Sequence, residues 1–346
     1  MAKKPRMVRV MLVGLGSVGT GFLRILQRKQ QELSDRYGLA FRITAAADSR
    51  GLAVDADGLE PAALVALKEA GRGVDTLDAF LPGAAAADLL GQAPCDLVVE
   101  AAPFNLQSGE PGLSVAKAAL SNGIQAVLAD KGPLVLAYAQ LAAAARRSGA
   151  ALAFSATVCG PLPVINCGRR DFVAAEITRF RGVLNATTNF ILASLEQGKS
   201  YRQALQEAQA AGAAEADPRL DVEGWDTAAK LVIVANSVLQ TPATLEDVAV
   251  RGIADLDAGD LEAHRKQAKT LKLLAVAEKA ANGYRLRVAP AALPADDFLA
   301  ACNGWEMGVT FDSDLYGPMY FKTWEREPGP TAAAVLRDAV NIFRRV

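Results

Sequence analysis

Apolar and polar positions alternate in short blocks through roughly the first 150 residues, and the blocks predict strands and helices in turn. Short apolar runs are typical of strands buried on both faces, and they occupy residues 8–13, 41–47, 96–101, 125–129 and 151–154. Helical spacing of apolar positions begins near Val18 and recurs at 61–70, 84–90, 113–122 and 134–148. This alternation predicts βαβ units with right-handed crossovers, and hence a doubly wound, Rossmann-type parallel sheet.

The pattern changes after about residue 155, which predicts a second domain of mixed α/β type. Its predicted strands are 173–183, 284–288, 309–312 and 319–324, and its predicted helices are 190–195, 201–210, 227–239 and 261–281. A last helix is predicted at 331–344. We therefore expect a first domain of residues 1–154, completed by residues 331–346, and a second domain of residues 155–330. Two domains also suit a chain of 346 residues.

Composition and charge exclude several classes of function. A net charge of −1 lacks the basic excess of a nucleic-acid surface. No apolar run has the length of a signal-peptide core or a membrane span. A single histidine, His264 in a charged run, excludes a Ser-His-Asp triad and a histidine zinc site. Four cysteines without CxxC spacing predict reduced thiols and a cytoplasmic protein.

A glycine-rich turn stands directly between the first predicted strand and the first predicted helix. Residues 14–19 read Gly-Leu-Gly-Ser-Val-Gly. Gly14 permits a tight turn, Gly16 lets the backbone approach a pyrophosphate, and Gly19 lets helix and strand pack closely. In this strand–turn–helix context the motif predicts a dinucleotide site, with phosphate at the helix N-terminus near Ser17 and Val18.

The end of the second predicted strand bears on which dinucleotide is bound. An acidic residue there accepts the ribose 2′-hydroxyl of NAD, whereas an arginine pairs with the 2′-phosphate of NADP. The chain has Asp48, Ser49 and Arg50 in succession, so it offers both. Arg50 could equally be a solvated loop residue, and the cofactor is left open as NAD or NADP.

The predicted helix 227–239 is preceded by a group of charged residues. Asp226 and Lys230 are four positions apart and share one helix face, which taken alone also fits a surface salt bridge. The following run 231–235 is wholly apolar, so the helix is buried and its polar start is expected at a cleft. Carboxylates upstream, Glu215 and Asp221 among them, suit a substrate with an ammonium group, while Lys230 is left for proton transfer.

A second lysine follows a predicted parallel strand of the first domain. Lys131 comes just after residues 125–129. Carboxyl ends of parallel strands border the ligand crevice, so Lys131 is expected near the nicotinamide. The alternative is a strand-end lysine in solvent.

These motifs together resemble the homoserine dehydrogenase family over most of the chain. The resemblance rests on the nucleotide loop 14–19, the stretches 100–105 and 108–111, the turn 130–133 and the motif 182–189. It is most specific at 214–218 and 221–230, which match Ala-Glu-x-Asp-Pro and Asp-x-x-Gly-x-Asp-x-x-x-Lys.

The resemblance implies hydride transfer between a nicotinamide and the pair L-aspartate 4-semialdehyde and L-homoserine. Lys230, Lys131 and Asp226 would be catalytic, and Lys230 would give a proton to the alkoxide. The substrate would be bound by Glu215, Asp221, Thr187 and Asn185. The cofactor would also contact Ala102, Pro103 and Lys131. A homodimer built by the second domain is expected, partly because its apolar sheet segments are long.

Some positions depart from the family pattern. The family usually has Asn at Asp130, and it often has a glutamate near Ser155 that helps backbone carbonyls hold a monovalent cation (Na⁺ or K⁺). Here that site would rest on carbonyls near Val158 and Gly160. The usual C-terminal Gly-Ala-Gly loop is replaced around residues 325–331, and no regulatory extension is expected. Two other functions stay open: an NAD(P) oxidoreductase for a related amino or semialdehyde substrate, and a non-catalytic nucleotide-binding sensor.

Overall fold

A computed structural model describes residues 4–210, 217–256, 264 and 267–344. The backbone divides into two compact units, one formed by residues 1–160 with 328–346 and the other by residues 161–327. The boundary after Gly160 follows the predicted one by six residues.

The first unit is built on a seven-stranded sheet in the order β4-β3-β2-β1-β5-β6-β7. Its strands are β1 (Arg6–Val13), β2 (Leu39–Asp48), β3 (Gly51–Val54), β4 (Phe80–Leu81), β5 (Leu97–Glu100), β6 (Gln125–Leu128) and β7 (Leu152–Ala153). The neighbouring strands β2, β1, β5, β6 and β7 are all parallel. At one edge of the sheet, β3 pairs antiparallel with β2, and β4 pairs antiparallel with β3. The strand order is that of a Rossmann-type fold, as the sequence predicts.

Six helices of the first unit accompany this sheet. They are α1 (Ser17–Tyr37), α2 (Pro61–Glu69), α3 (Ala86–Leu89), α4 (Gly112–Ser121), α5 (Gly132–Ser148) and, from the far end of the chain, α11 (Gly329–Phe343). Helix α11 belongs to the same core as α1 and β1, and its Val335 and Ala339 are fully buried there. Apolar residues at helical spacing thus bury the C-terminal helix in the first unit.

The second unit contains a six-stranded mixed sheet in the order β13-β12-β8-β10-β11-β9. The strands are β8 (Ile177–Val183), β9 (Val248–Val250), β10 (Lys269–Ala280), β11 (Gly283–Pro294), β12 (Glu306–Ser313) and β13 (Gly317–Trp324). All neighbouring pairs are antiparallel except β9 with β11. The described helices are α6 (Val164–Arg170), α7 (Ala186–Glu196), α8 (Tyr201–Ala210), α9 (Arg219–Val222) and α10 (Trp225–Ser237). The predicted fold class is confirmed.

The predicted helix 261–281 is wrong over Lys269–Ala280, which form strand β10, although His264 within the predicted range is helical. Residues 271–277 are all buried, because both faces of β10 are covered. A strand buried on both faces shows no alternation of polar and apolar residues, so its periodicity resembles that of a buried helix. Smaller differences have similar causes. The short strands β3, β4 and β9 carry too few residues to show a pattern, and β8 begins at Ile177 rather than at residue 173.

Candidate active site

The glycine turn after β1 is so tight that two of its positions accept no side chain. Gly14 has φ +95°, and a Cβ there would lie 2.3 Å from the backbone of Ala101. A Cβ on Gly19 would lie 2.0 Å from the carbonyl oxygen of Gly14. These two glycines therefore let the turn, β5 and α1 approach one another, which is the close packing expected of a dinucleotide-binding turn.

The third glycine of the turn leaves the start of α1 open. A Cβ on Gly16 would meet no atom within 4 Å. Gly16 and Ser17 are exposed, and Val18 is half-buried. The first turn of α1 contains no acidic residue, and no side chain caps its N-terminus. Free N–H groups and the positive end of the helix dipole are thus available to a phosphate, so the residues present fit a dinucleotide.

At the end of β2, the carboxylate of Asp48 is already in contact with several donors. Its Oδ2 lies 2.9 Å from Nζ of Lys68 and 3.3 Å from the backbone nitrogen of Val74. Its Oδ1 accepts a hydrogen bond from the backbone nitrogen of Arg50. Ser49 and Arg50 lie in the exposed turn between β2 and β3, where the Arg50 guanidinium donates to the carbonyl of Gly71. Lys68, on α2, therefore compensates the charge of Asp48. This contact is not predicted from the sequence, because no pattern in α2 distinguishes Lys68 from a surface lysine.

Two carboxyl groups are buried together where β5 and β6 end. Glu100 is fully buried and Asp130 is 2% exposed. A Cβ on Gly112 would lie 2.7 Å from Oδ2 of Asp130 and 3.0 Å from Cδ of Glu100, so both groups border one point. Each accepts one backbone hydrogen bond, from Ala102 and Gly132 respectively, and the second oxygen of each has no hydrogen-bond partner.

Burial and mutual proximity change the protonation of this pair. Burial and the charge of Asp130 raise the pKa of Glu100 to about 8. Burial also raises the pKa of Asp130 to about 6, although the backbone N–H of Gly132 and the charge of Lys131 oppose the rise. Near neutral pH the Glu100 carboxyl therefore holds a proton. This group is not among those predicted from the sequence, although a glutamate inside an apolar run is a signal that could have revealed it.

Lys131 follows the buried pair directly and forms the N-cap of α5. Its Nζ lies 4.0 Å from the centroid of the Phe104 ring, a cation–π contact. Phe104 follows Ala102 and Pro103 in the loop after β5, which the resemblance implies for cofactor contact. The structure thus brings the two predicted segments, 102–103 and 131, to the same end of the parallel sheet.

In the second unit, Asn185 joins two carboxylates of the predicted constellation. Its Nδ2 donates to Oδ1 of Asp221 at 2.7 Å and to Oδ2 of Asp226 at 2.8 Å. Its Oδ1 accepts from the backbone nitrogen of Thr188, so the side chain also caps α7. Capping fixes the amide orientation, and the orientation in turn fixes both carboxylates.

Lys230 completes this cluster one helical turn after Asp226 on α10. Its Nζ lies 2.7 Å from Oδ2 of Asp226 and donates to the carbonyl of Leu184 at 2.7 Å. The Lys230 and Asp226 side chains are only 12% and 7% exposed. The alternative of a surface salt bridge is therefore wrong. Thr187 is buried in the first turn of α7 beside Asn185, whereas Glu215 lies outside the described residues.

The turn at residues 155–160 contains Val158 and Gly160, whose carbonyls the resemblance implies for a monovalent cation. The carbonyl of Gly160 instead accepts a hydrogen bond from the Arg337 guanidinium, at 3.4 Å. Elsewhere in the described residues, no group of three His, Cys, Asp or Glu side chains is placed to hold a metal ion. Among the described helices, none is long and apolar enough to cross a membrane.

A Rossmann-type unit with an open glycine turn, and a second unit with a buried lysine–carboxylate cluster, define a nicotinamide-dependent oxidoreductase. Two family models cover most of the chain: the NAD-binding domain of homoserine dehydrogenase matches residues 14–155, and homoserine dehydrogenase itself matches residues 163–340. The chain belongs to the homoserine dehydrogenase family.

Individual relatives agree with this assignment over nearly the whole chain. Homoserine dehydrogenase of Methanocaldococcus jannaschii is 34% identical over 335 residues, covering 96% of this chain and 98% of the relative. NAD(+)-dependent homoserine dehydrogenase of Pseudomonas canavaninivorans is 33% identical, covering 97% and 96%. The crystal structure of a homoserine dehydrogenase from Thiobacillus denitrificans has a TM-score of 0.84 at 31% identity, covering 98% of this chain and 74% of that one. The matches support the predicted family over the two alternative functions.

Proposed function

We propose that this protein catalyses the NAD(P)-dependent interconversion of L-homoserine and L-aspartate 4-semialdehyde. The observation that carries the proposal is the buried cluster of Asn185, Asp226 and Lys230, held at 2.7–2.8 Å. It is supported by the family and by relatives named for this reaction. When bound, the nicotinamide would supply or accept the hydride.

Lys230 is the proposed proton donor and acceptor. In the direction of reduction, hydride reaches the aldehyde carbon, the C=O bond becomes a C–O single bond, and negative charge develops on oxygen. The Lys230 ammonium stabilises that charge and transfers its proton to the alkoxide. Asp226 and the Leu184 carbonyl fix the ammonium from the protein side, so that it is held in one orientation. Oxidation of homoserine reverses these steps.

The remaining polar groups of the second unit are assigned to the substrate. Asp226, Asp221, Asn185 and Thr187 would bind and orient it, and Glu215 would pair with its ammonium group, because an unpaired buried charge is costly. Replacing Glu215 by Gln keeps the size and removes the charge. Loss of a charge-assisted hydrogen bond should weaken homoserine binding roughly 10–150-fold, with cofactor binding unchanged.

The first unit is proposed to hold the dinucleotide. Gly14, Gly16, Ser17, Val18 and Gly19 would surround the pyrophosphate at the start of α1. Asp48, Ser49 and Arg50 would meet the adenosine ribose, and Ala102, Pro103 and Lys131 would lie along the nicotinamide end. Because Lys68 compensates the charge of Asp48, the site does not simply repel a 2′-phosphate, and both NAD and NADP are retained in the proposal.

A homodimer is also proposed, formed through the second unit. Edge strand β13 exposes Tyr320 by 50% and Trp324 by 58%, on the same face of the strand. Exposed large apolar side chains in one patch commonly mark an interface. Light scattering should give a dimer for the native chain and a monomer for the variant Tyr320→Lys with Trp324→Lys. Val173→Lys, at an apolar residue 68% exposed, is the control.

A cytoplasmic location is proposed as well. The four cysteines form no disulfide, and thiols normally stay reduced in the cytoplasm.

The reaction is tested by following NAD(P)H absorbance with L-homoserine and each cofactor in parallel. We expect turnover with homoserine and much less with substrates that lack the amino group. A chain that binds NAD(P)H but oxidises only simple alcohols would contradict the proposal. The ratio of kcat/KM for the two cofactors decides between NAD and NADP.

A further inference from the structure

The turn at residues 155–160 is tied to helix α11 by a continuous chain of polar groups, of which Ser155 and Asp338 are buried and Arg337 is half-buried. Backbone nitrogen and Oγ of Ser155 both donate to the carboxylate of Asp338, at 2.8 and 2.7 Å. The Arg337 guanidinium donates to Oγ of Ser155 at 2.8 Å. Ser155 and Asp338 are 1% and 2% exposed. A half-buried guanidinium is thus joined to a buried hydroxyl and a buried carboxylate.

The same guanidinium nitrogen reaches the end of the turn. It donates to the carbonyl of Gly160 at 3.4 Å. The backbone just before is unusual, because Cys159 has φ +54°, a conformation uncommon for a residue with a side chain, and Gly160 has φ +26°. A turn in this conformation requires partners that hold it, and Arg337 contacts both its first residue and its last.

These residues do not fit the monovalent cation that family membership implies for this turn. The carboxylate expected near position 155 is replaced by a serine hydroxyl, which already accepts from Arg337 and donates to Asp338. The formal charges of Arg337 and Asp338 sum to zero without an ion. A metal cation at the Gly160 carbonyl would lie beside a guanidinium and would be repelled by it at short range.

We propose that Arg337 takes the place of a monovalent cation in this protein, so that the turn is held by a side chain and the enzyme is indifferent to Na⁺ and K⁺. Arginine is suited to this substitution, since it stays charged at all relevant pH values and its planar fork donates to several oxygens at once. Arg337 is therefore a positioning residue, which acts through Ser155 and the backbone of the turn.

The first test compares sodium, potassium and choline chloride at equal ionic strength. The native chain should show the same melting temperature and the same kcat/KM in all three salts. The melting temperature needs no turnover, so this readout is independent of the proposed reaction. A selective rise in melting temperature with Na⁺ or K⁺ would overturn the proposal, because a ligand that binds only the folded state stabilises it in proportion to the logarithm of its concentration.

The second test rebuilds the implied ion site. The double variant Ser155→Glu with Arg337→Ala restores a carboxylate and removes the resident cation. Its melting temperature should rise with Na⁺ or K⁺ concentration and stay constant with choline. Arg337→Lys keeps the positive charge with fewer hydrogen-bond donors. Its melting temperature should be the same in the three salts. Each variant is compared with itself across salts, so a general loss of stability does not affect the result. A double variant that ignores Na⁺ and K⁺ would count against the proposal.

Discussion

Both units bury carboxyl groups, but the groups that contact them differ. In the second unit, Asp226 is paired with the Lys230 ammonium at 2.7 Å and with the amide of Asn185. In the first unit, Glu100 and Asp130 lie beside each other, and each accepts one backbone N–H. The first arrangement places a cation beside the carboxylate, whereas the second favours retention of a proton on Glu100. Similar burial is therefore combined with different partners: a cation and an amide in the second unit, and a second carboxyl group in the first.

Of the variants considered, removal of Lys230 should have the largest effect on turnover. Lys230→Ala leaves Asp226 without its cation and removes the proposed proton donor, so kcat should fall roughly 10²–10⁴-fold. Binding of NAD(P)H, measured by fluorescence titration, should be unchanged. Lys199→Ala removes an exposed lysine of the same unit and is the matched control. If Lys230→Ala keeps full turnover, the assignment of this residue is wrong.

Neutralising the Asp226 carboxylate of the same cluster is expected to reduce activity by a smaller factor. Asp226→Asn keeps the shape and loses the charge that orients Lys230, so kcat/KM should fall roughly 10–150-fold, the range for one hydrogen bond to a charged group. Steady-state kinetics with homoserine measures the change. Asp296→Asn, at an exposed position, should behave like the native chain. An equal result for the two variants would show that the charge of Asp226 plays no part.

The buried pair of the first unit should appear in the pH dependence of stability. The pKa of Glu100 rises from 4.5 to about 8 in the folded state. Between these values the folded chain binds a proton that the unfolded chain releases. The contribution of Glu100 to stability is therefore fully present below pH 4.5 and is lost as pH rises through about 8. Glu100→Gln, a permanently neutral isostere, should flatten this part of a urea-unfolding curve measured against pH.

The control for this measurement is Glu60→Gln, which removes an exposed glutamate of the same unit. It should reproduce the native pH dependence. If the native chain and Glu100→Gln show the same pH dependence of stability between pH 5 and 8, Glu100 holds no proton in the folded state.

The smallest expected effect is that of replacing Asp130, the second carboxyl group of the buried pair. Asp130→Asn introduces the residue that the family usually has and removes the charge that helps raise the pKa of Glu100. The pH at which stability is lost should move down by on the order of one unit, the common size of shifts in folded proteins. Turnover at neutral pH should change little. An unchanged midpoint would show that burial alone controls Glu100.

The sequence predicts the parts of this protein in which local pattern and chemistry coincide. Gly14, Gly16 and Gly19 stand between a strand and a helix, and spacing alone places Asp226 and Lys230 on one face of α10. Strand β10 could not be predicted, because an apolar run covered on both faces has no polar side. Contacts that depend on distant segments also escape sequence reasoning.

The salt bridge between Lys68 and Asp48 illustrates this limit. It joins residues 20 positions apart on different elements, and neither position is unusual in sequence. Arg337 is a similar case. It follows apolar residues on a helix that the sequence predicts correctly, but its contacts with Ser155 and Gly160 depend on how that helix packs in the first unit. Side chains that replace an expected ligand are visible only when the fold brings them together.

The return of α11 to the first unit has a consequence for the order in which the chain can fold during synthesis. Asp338 contacts Ser155 although the two residues are 183 positions apart in sequence, and Val335 and Ala339 fill the core beside α1. The ribosome must therefore complete all of residues 161–327 before the first unit has its last helix. Until then that unit exposes an apolar surface, and long-range closure of this kind slows folding. We therefore expect the nascent N-terminal half to be most exposed to chaperones and proteases until the end of α11 is released.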